Sequence, residues 1–114
     1  MRKITKIFKA LSDPNRIRIL KMLQIRFLCV CEIRDILQLA NSTVSKHLSI
    51  LRDAELIVDE KDGKWVNYSL NTSTSEKYVS QLLPLLKEWL PDDAVILADA
   101  EMVISINRET ICAV

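Results

Sequence analysis

The chain has 114 residues, of which 49% are hydrophobic and 27% charged, with one glycine and three prolines. This length suits one small domain, and the composition excludes collagen-like, low-complexity and disordered chains. Apolar runs are too short to span a membrane and residues 1–6 do not resemble a signal peptide, so we expect a cytoplasmic protein.

The charges are unevenly distributed along the chain. Residues 1–72 hold 13 Lys and Arg against 8 Asp and Glu, a net charge of +5, whereas residues 73–114 hold 3 against 7, a net charge of −4. A basic part followed by an acidic end is typical of a protein with one face that meets a polyanion. Ordinary solvated charge explains the same numbers, so the motifs must decide.

Apolar residues at helical spacing predict two helices at the start of the chain. The first helix has one face made of Ile4, Ile7, Phe8 and Leu11. Asp13 is suited to cap the second helix, and Pro14 to occupy its first turn. The predicted buried face of the second helix comprises Ile17, Ile19, Leu20, Met22 and Leu23.

Two further short helices are predicted, with a brief break between them. Cys29 precedes Glu32 by three residues, which is the frame of a capping box, and predicts a third helix that runs to about Leu39. Asn41 or Ser42 then caps a fourth helix, whose buried face is Val44, Leu48 and Leu51. Its exposed face carries Thr43, Ser45, Lys46, His47, Ser49 and Arg52.

The periodicity changes to that of strands over residues 56–70. Two segments rich in β-branched and aromatic residues flank Asp62-Gly63, which predicts a hairpin with Gly63 at positive φ. A long apolar helix follows, with a stripe of Tyr78, Val79, Leu82, Leu83, Leu86 and Trp89 that ends before residues 91–93. Residues 94–114 show no clear period.

These elements predict a mainly α fold with a β-hairpin, the winged helix-turn-helix, as one domain over residues 1–114. Residues 42–53 are the candidate recognition helix and residues 56–70 the wing. The first and last predicted helices have more apolar surface than one small core can bury, so we expect them to form a homodimer interface.

Four segments of the chain resemble the ArsR/SmtB family of metal-responsive repressors: residues 8–20, Cys29–Ile33, Thr43–Arg52 and Gly63–Leu70. The resemblance runs in order through residues 4–70. Within it, Cys29-Val30-Cys31 resembles the arsenic-sensing and the cadmium- or lead-sensing branches. The resemblance implies a homodimer that represses a resistance operon until its inducer binds.

The chain departs from the family pattern at three places. The arsenic-sensing branch often has a third cysteine where this chain has Arg34. The usual Ser-Gln-Pro before the recognition helix is replaced by Ala40-Asn41-Ser42. The usual glycine after that helix is Glu55, which costs about 1 kcal/mol if the position requires positive φ.

The fourth helix and the wing together form the candidate DNA-binding surface. Short polar side chains near a helix N-terminus reach phosphates or base edges, and basic side chains displace counterions from the backbone. A dimer places two such helices about 34 Å apart on an inverted repeat in double-stranded operator DNA. The candidate residues are Asn41, Ser42, Thr43, Ser45, Lys46, His47, Arg52, Lys61 and Lys64.

Cys29, Cys31 and Cys112 are the candidate metal ligands, because thiolates select soft ions. We expect the helix N-terminus, with Arg26 and Arg34 near in sequence, to lower the pKa of the first two thiols. Two positions in a regular helix differ by about 200°, so one ion takes both sulfurs only if the first turn unwinds or stays non-helical. Such a distortion would displace the fourth helix. As(III) or Sb(III), which favour three sulfurs, are the expected inducers, with Cys112 as the possible third ligand from either subunit.

Several alternatives stay open. Cd(II) or Pb(II) would also bind thiolates, although that branch usually takes ligands from an N-terminal extension. A thiol redox switch is a second reading, with Cys29–Cys112 as the favoured disulfide. A third is an interaction domain that has lost DNA binding. The family's other zinc site needs several His, and His47 is the only one here. With one His and one Gly, the chain also lacks the residues for a nucleophile–base pair with an orienting group or for a phosphate-binding loop, which argues against an enzyme.

Overall fold

The computed structural model describes residues 1–112, which form seven helices and one two-stranded sheet. The helices are α1 (Arg2–Leu11), α2 (Pro14–Leu23), α3 (Val30–Leu37), α4 (Asn41–Asp53), α5 (Lys77–Glu88), α6 (Ala94–Ser105) and α7 (Arg108–Ile111). The strands are β1 (Ile57–Asp62) and β2 (Trp65–Leu70). Within the described residues, no helix is both long and apolar enough to cross a membrane.

The helix starts follow the capping residues at two of the three predicted places. The Asp13 carboxylate accepts hydrogen bonds from the N–H groups of Asn15 (2.8 Å) and Arg16 (3.3 Å), and Pro14 lies in the first turn of α2. At α3, the N–H of Cys29 donates to the Glu32 carboxylate at 3.0 Å, which confirms the predicted capping box.

The junction between α3 and α4 differs from the prediction. α3 ends at Leu37 rather than near Leu39, because Gln38 adopts a left-handed conformation with φ +57°. The N-cap of α4 is Ala40, which offers no side-chain hydrogen bond, so capping by Asn41 or Ser42 is wrong. The Asn41 amide oxygen instead accepts from the Arg34 guanidinium at 3.3 Å.

The hairpin is confirmed, with its turn one residue later than expected. β1 and β2 are antiparallel with Asp62 opposite Trp65, so the two-residue loop is Gly63-Lys64. Gly63 has φ +60° and Lys64 does not have positive φ, which is the pattern of a type II′ turn. The only glycine therefore lies where this loop needs it.

The core lies between the helices and the inner end of β1. Its largest fully buried side chains include Ile19, Leu20, Met22, Leu28, Ile33, Leu48, Leu51, Leu56 and Ile57. Three aromatic side chains of the predicted apolar faces of the first and last helices are exposed in the chain: Phe8 (64%), Tyr78 (41%) and Trp89 (46%). His47 was expected on the exposed face of α4, but it is buried with 9% exposure, so that expectation is wrong.

Residues 94–112, for which the sequence carried no prediction, form α6 and α7. Asp93 caps α6 by accepting from the N–H groups of Val95 and Ile96 at 3.0 Å. Arg18 of α2 holds α6 through two hydrogen bonds to the buried Asp99 carboxylate, at 2.8 and 2.9 Å. The chain then returns to the start of α3.

Candidate metal centre and DNA-binding surface

The structure brings the three cysteines together. The sulfurs of Cys29 and Cys31 are 3.3 Å apart, and all three sulfurs lie within 4.8 Å of one another. Cys31 and Cys112 form a disulfide with a Cα–Cα distance of 6.0 Å, while the buried Cys29 keeps a free thiol. Cys112 therefore reaches the pair from within the same chain.

Cys29 and Cys31 meet because only one of them belongs to the helix. Cys29 is the N-cap of α3 and has an extended backbone, with φ −92° and ψ 169°. The rotation of about 200° that separates two helical positions does not apply to this pair. The predicted alternative, a first position that stays non-helical, is thus met in a regular α3. Displacement of α4 on chelation stays a prediction.

The environment of Cys29 opposes ionisation of its thiol. Burial raises the pKa of Cys29 above its ordinary value, and the nearby charge of Glu32 adds to the rise. The expected lowering by Arg26 and Arg34 is therefore wrong for this thiol. Arg26 is occupied by an ion pair with Glu32 at 3.1 Å and by carbonyl oxygens at the end of α6.

The three sulfurs suit a single soft ion once Cys31 and Cys112 are reduced. Two thiolates at about 2.3 Å from one tetrahedral ion are about 3.8 Å apart. The sulfurs of Cys29 and Cys31, 3.3 Å apart, are within about 0.5 Å of that separation, and the sulfur of Cys112, bonded to Cys31 in the disulfide, lies within 4.8 Å of Cys29. Reduction of the disulfide would therefore leave all three sulfurs close enough to bind one ion.

The exposed side of α4 carries most of the predicted DNA-binding residues. Exposed positions in its first turns are Asn41, Ser42, Thr43, Ser45 and Lys46. Lys61 and Lys64 are exposed on the wing, and the Lys64 ammonium lies 4.7 Å from the centre of the Trp65 ring. Arg52 is exposed but forms an ion pair with Asp59 of β1 at 2.8 Å.

His47 lies on the opposite side of α4. Its Nδ1 is 3.2 Å from Nη1 of Arg16, whose Nε also donates to the carbonyl of Ala10 at 2.8 Å. This contact fixes α4 against α1 and α2. His47 is thus separate from the exposed surface to which the sequence had assigned it.

A cleft of about 380 Å³ lies between the cysteines and the candidate DNA-binding surface. Cys29 and Cys31 lie at one side of it, Asn41 and Ser45 of α4 at another, and the wing closes it. The wing contributes Lys64, Trp65 and Val66. An ion held by the sulfurs would therefore lie beside both elements of the surface.

Arg108 of α7 is a site residue that the sequence did not indicate. Its guanidinium donates to the Asp62 carboxylate at 2.8 Å and to the Asn67 amide oxygen, and lies 4.1 Å from the centre of the Trp65 ring. All three partners belong to the wing. The only sequence signal for this role was an arginine four residues before Cys112, and it lay in a segment without a recognisable helical or strand period.

Comparisons with known proteins agree with this architecture. The family model described as "Bacterial regulatory protein, arsR family" matches residues 13–58. The arsenic resistance transcriptional regulator ArsR1 of Pseudomonas putida is 35% identical over 97 residues, covering 82% of this chain and 76% of that one. A cadmium resistance regulator, the CadC homolog of Staphylococcus aureus, is 37% identical over 81 residues, covering 70% and 64%.

Among solved structures, HlyU from Vibrio cholerae N16961 superposes with a TM-score of 0.62 at 33% identity, covering 75% of this chain and 88% of that one. The winged helix-turn-helix fold predicted from the sequence is thereby confirmed. The chain belongs to the ArsR family and is a DNA-binding transcriptional repressor rather than an enzyme.

Proposed function

We propose that this repressor leaves its operator when As(III) or Sb(III) binds the reduced thiols of Cys29, Cys31 and Cys112. The observation that carries the proposal is the convergence of these three sulfurs within 4.8 Å at the start of α3. The relative named as an arsenic resistance regulator supports the choice of ion.

The binding step is a ligand exchange. As(OH)₃ loses three hydroxyls as three As–O bonds break and three As–S bonds form. The three thiol protons leave with the hydroxyls as three water molecules, and the oxidation state of arsenic does not change. Because the disulfide of Cys31 and Cys112 blocks two of the sulfurs, this exchange requires the reduced chain.

The operator-binding surface that we propose is the exposed part of α4 with the wing. Lys46, Lys61 and Lys64 supply charge, and the small polar residues of the first turns of α4 approach the groove. Arg52 supports the wing through its ion pair with Asp59. In the proposed complex it lies beside the sugar-phosphate backbone of the DNA. Exposed Phe8 on α1, with Tyr78, Leu85 and Trp89 on and next to α5, supports a homodimer on an inverted repeat.

The test is a titration of a fluorescent operator complex with arsenite under reducing conditions, followed by anisotropy. The wild-type chain should release DNA, whereas Cys29→Ser and Cys31→Ser should bind DNA normally and stay bound when arsenite is added. Thr110→Ser, an exposed hydroxyl change near Cys112, is the matched control and should respond like the wild type. Release from both cysteine variants would contradict the proposal.

Cd(II) and Pb(II) are alternative inducers, since they also bind thiolates and one relative is named as a cadmium resistance regulator. The same titration distinguishes the ions. If arsenite leaves the complex intact while Cd(II) or Pb(II) releases the DNA and this release needs the same cysteines, the assignment of the site stands and the inducer is Cd(II) or Pb(II).

The disulfide favours one further candidate, a thiol redox switch. The sequence had favoured a Cys29–Cys112 pair, but the structure pairs Cys31 with Cys112. A peroxide would oxidise these two thiols to the disulfide and would itself be reduced, giving two water molecules from hydrogen peroxide. Cys29→Ser separates the two functions, because it should abolish release by arsenite and leave release by peroxide.

A further inference from the structure

Helix α7 joins the cysteine site to the wing. Arg108 is its first residue and Cys112 is its C-cap, with the Cys112 N–H donating to the Arg108 carbonyl at 2.8 Å. A single helical turn therefore has a sulfur ligand at one end and a wing-binding arginine at the other. A displacement of the Cys112 backbone would therefore be passed to Arg108 through this turn.

The contacts of Arg108 with Asp62, Trp65 and Asn67 are here called the wing clasp. They comprise a 2.8 Å ion pair, an amide hydrogen bond and stacking on an aromatic ring, and the Arg108 side chain is only 19% exposed. Planar stacking combined with several directed hydrogen bonds suits arginine and cannot be reproduced by lysine. The clasp fixes the tip of the hairpin.

The base of the wing is held independently of the clasp. Leu28 and Tyr68 exchange backbone hydrogen bonds at 3.1 and 2.8 Å, Ile57 packs in the core, and Arg52 of α4 pairs with Asp59 of β1. The sheet itself has only these two strands. A two-stranded hairpin is marginal without further packing. The direction of the wing tip therefore depends on the clasp more than on the hairpin itself.

We propose that Arg108 is a positioning residue that transmits the state of the cysteine site to the wing. This inference rests on the proposed function. Gathering Cys112 onto Cys29 and Cys31 holds α7 in place, and the wing clasp then keeps the wing in an orientation with low operator affinity. When Cys112 is free, α7 no longer holds Arg108 against the wing, and the wing is available to DNA.

The direction of the effect follows from what coexists in the structure. The wing clasp is formed while the three sulfurs are gathered. The proposed function assigns sulfurs held together by As(III) to the released state, and the redox alternative assigns those held by the disulfide to it, so we place the clasped wing in the released state. Since α3 is regular with the sulfurs gathered, α7 is the element that carries a change at Cys112 to the wing, separately from the cleft beside Cys29 and Cys31.

The test compares the ratio of operator affinities without and with arsenite in the wild type, Arg108→Ala and Asp62→Asn. Allosteric ratios are typically about 5–150-fold. We expect the ratio to fall at least about fivefold in both variants, while thiol counting shows the same number of cysteines protected by arsenite. Arg108→Lys should restore part of the ratio, and Arg2→Ala, an exposed arginine on α1, should leave it unchanged.

Trp65 emission provides a second readout that does not depend on DNA or arsenite. In a Trp89→Phe background Trp65 is the only tryptophan. Its emission should differ between the reduced and the peroxide-oxidised chain, and this difference should disappear in Arg108→Ala. A merely structural role for Arg108 would change both emission spectra equally.

The outcomes separate the two proposals. If arsenite fails to release the wild type, the proposed function is wrong, and the Trp65 emission difference still decides the link between Cys112 and the wing. If the wild type is released and Arg108→Ala is released with an unchanged ratio, the role of Arg108 is overturned and the proposed function stands.

Discussion

The positive φ of Glu55 should lower the stability of the folded protein by a measurable amount. The family pattern has glycine at this position, and the structure gives Glu55 a φ of +63°, where a side chain is strained. We expect Glu55→Gly to raise the free energy of unfolding by about 1 kcal/mol in urea denaturation. Glu60→Gly, in β1 and without positive φ, should instead lower it by about 0.5–1 kcal/mol. A less stable Glu55→Gly would contradict this assignment.

Lys46 and His47 are neighbours with different roles. Lys46 is exposed on α4, so Lys46→Ala should lower operator affinity and reduce the salt-dependence slope by about 1, with stability changed by less than about 0.5 kcal/mol. His47→Ala removes the buried contact with Arg16 and should cost about 1–3 kcal/mol of stability. Urea denaturation and anisotropy at several salt concentrations test both, and a salt slope unchanged in Lys46→Ala would remove Lys46 from the interface.

The pKa of the Asp62 carboxyl should report whether the wing clasp is formed. The hydrogen bond from Arg108, followed by that from Asn67, lowers the pKa of the Asp62 carboxyl. A lowered pKa in the folded state means that the carboxylate stabilises the protein above the unfolded value of about 3.9 and loses this effect as the pH falls through the folded value. In the chain with the Cys31–Cys112 disulfide, carboxyl carbon NMR should give a midpoint below the ordinary value, and Arg108→Ala should return it towards that value. Equal midpoints in both proteins would mean that the clasp does not form in solution.

At the scale of elements, a buried ion pair is one of the contacts that hold α6 against α2. The Asp99 side chain is 7% exposed and receives two hydrogen bonds from Arg18. Removing one partner of such a pair leaves the other without compensation, so Asp99→Ala should cost about 3 kcal/mol in urea denaturation. Glu101→Ala, at an exposed position of the same helix, should change stability by less than about 0.5 kcal/mol. Equal effects of the two substitutions would show that the pair does not hold α6.

The elements that sequence reasoning located are those marked by local chemistry. Three local signals each fix one backbone position, and the structure has an element boundary at each of them: Asp13-Pro14, the capping box of Cys29 and Glu32, and Gly63. The end of α3 was misplaced because Gln38 is neither a glycine nor an asparagine, the usual left-handed residues. α6 was missed because its own apolar residues are spread over all faces of the helix, so the sequence shows no clear helical period there.

At the scale of the whole molecule, the cysteine site depends on contacts that no local pattern contains. Cys31 and Cys112 are 81 residues apart in sequence. Their meeting depends on the docking of α6 by Arg18 and Arg26, which local spacing does not reveal. The sequence therefore indicated which residue types bind a soft ion, but left undetermined how Cys112 reaches the pair and how Arg108 reaches the wing.

Arsenic X-ray absorption spectroscopy on the reduced chain with one equivalent of As(III) tests the central claim most directly. The three-cysteine site predicts three As–S bonds in the wild type, and two As–S bonds with one As–O bond in Cys112→Ser. Two sulfurs and one oxygen already in the wild type, unchanged by Cys112→Ser, would show that Cys112 is not a ligand and would contradict the account.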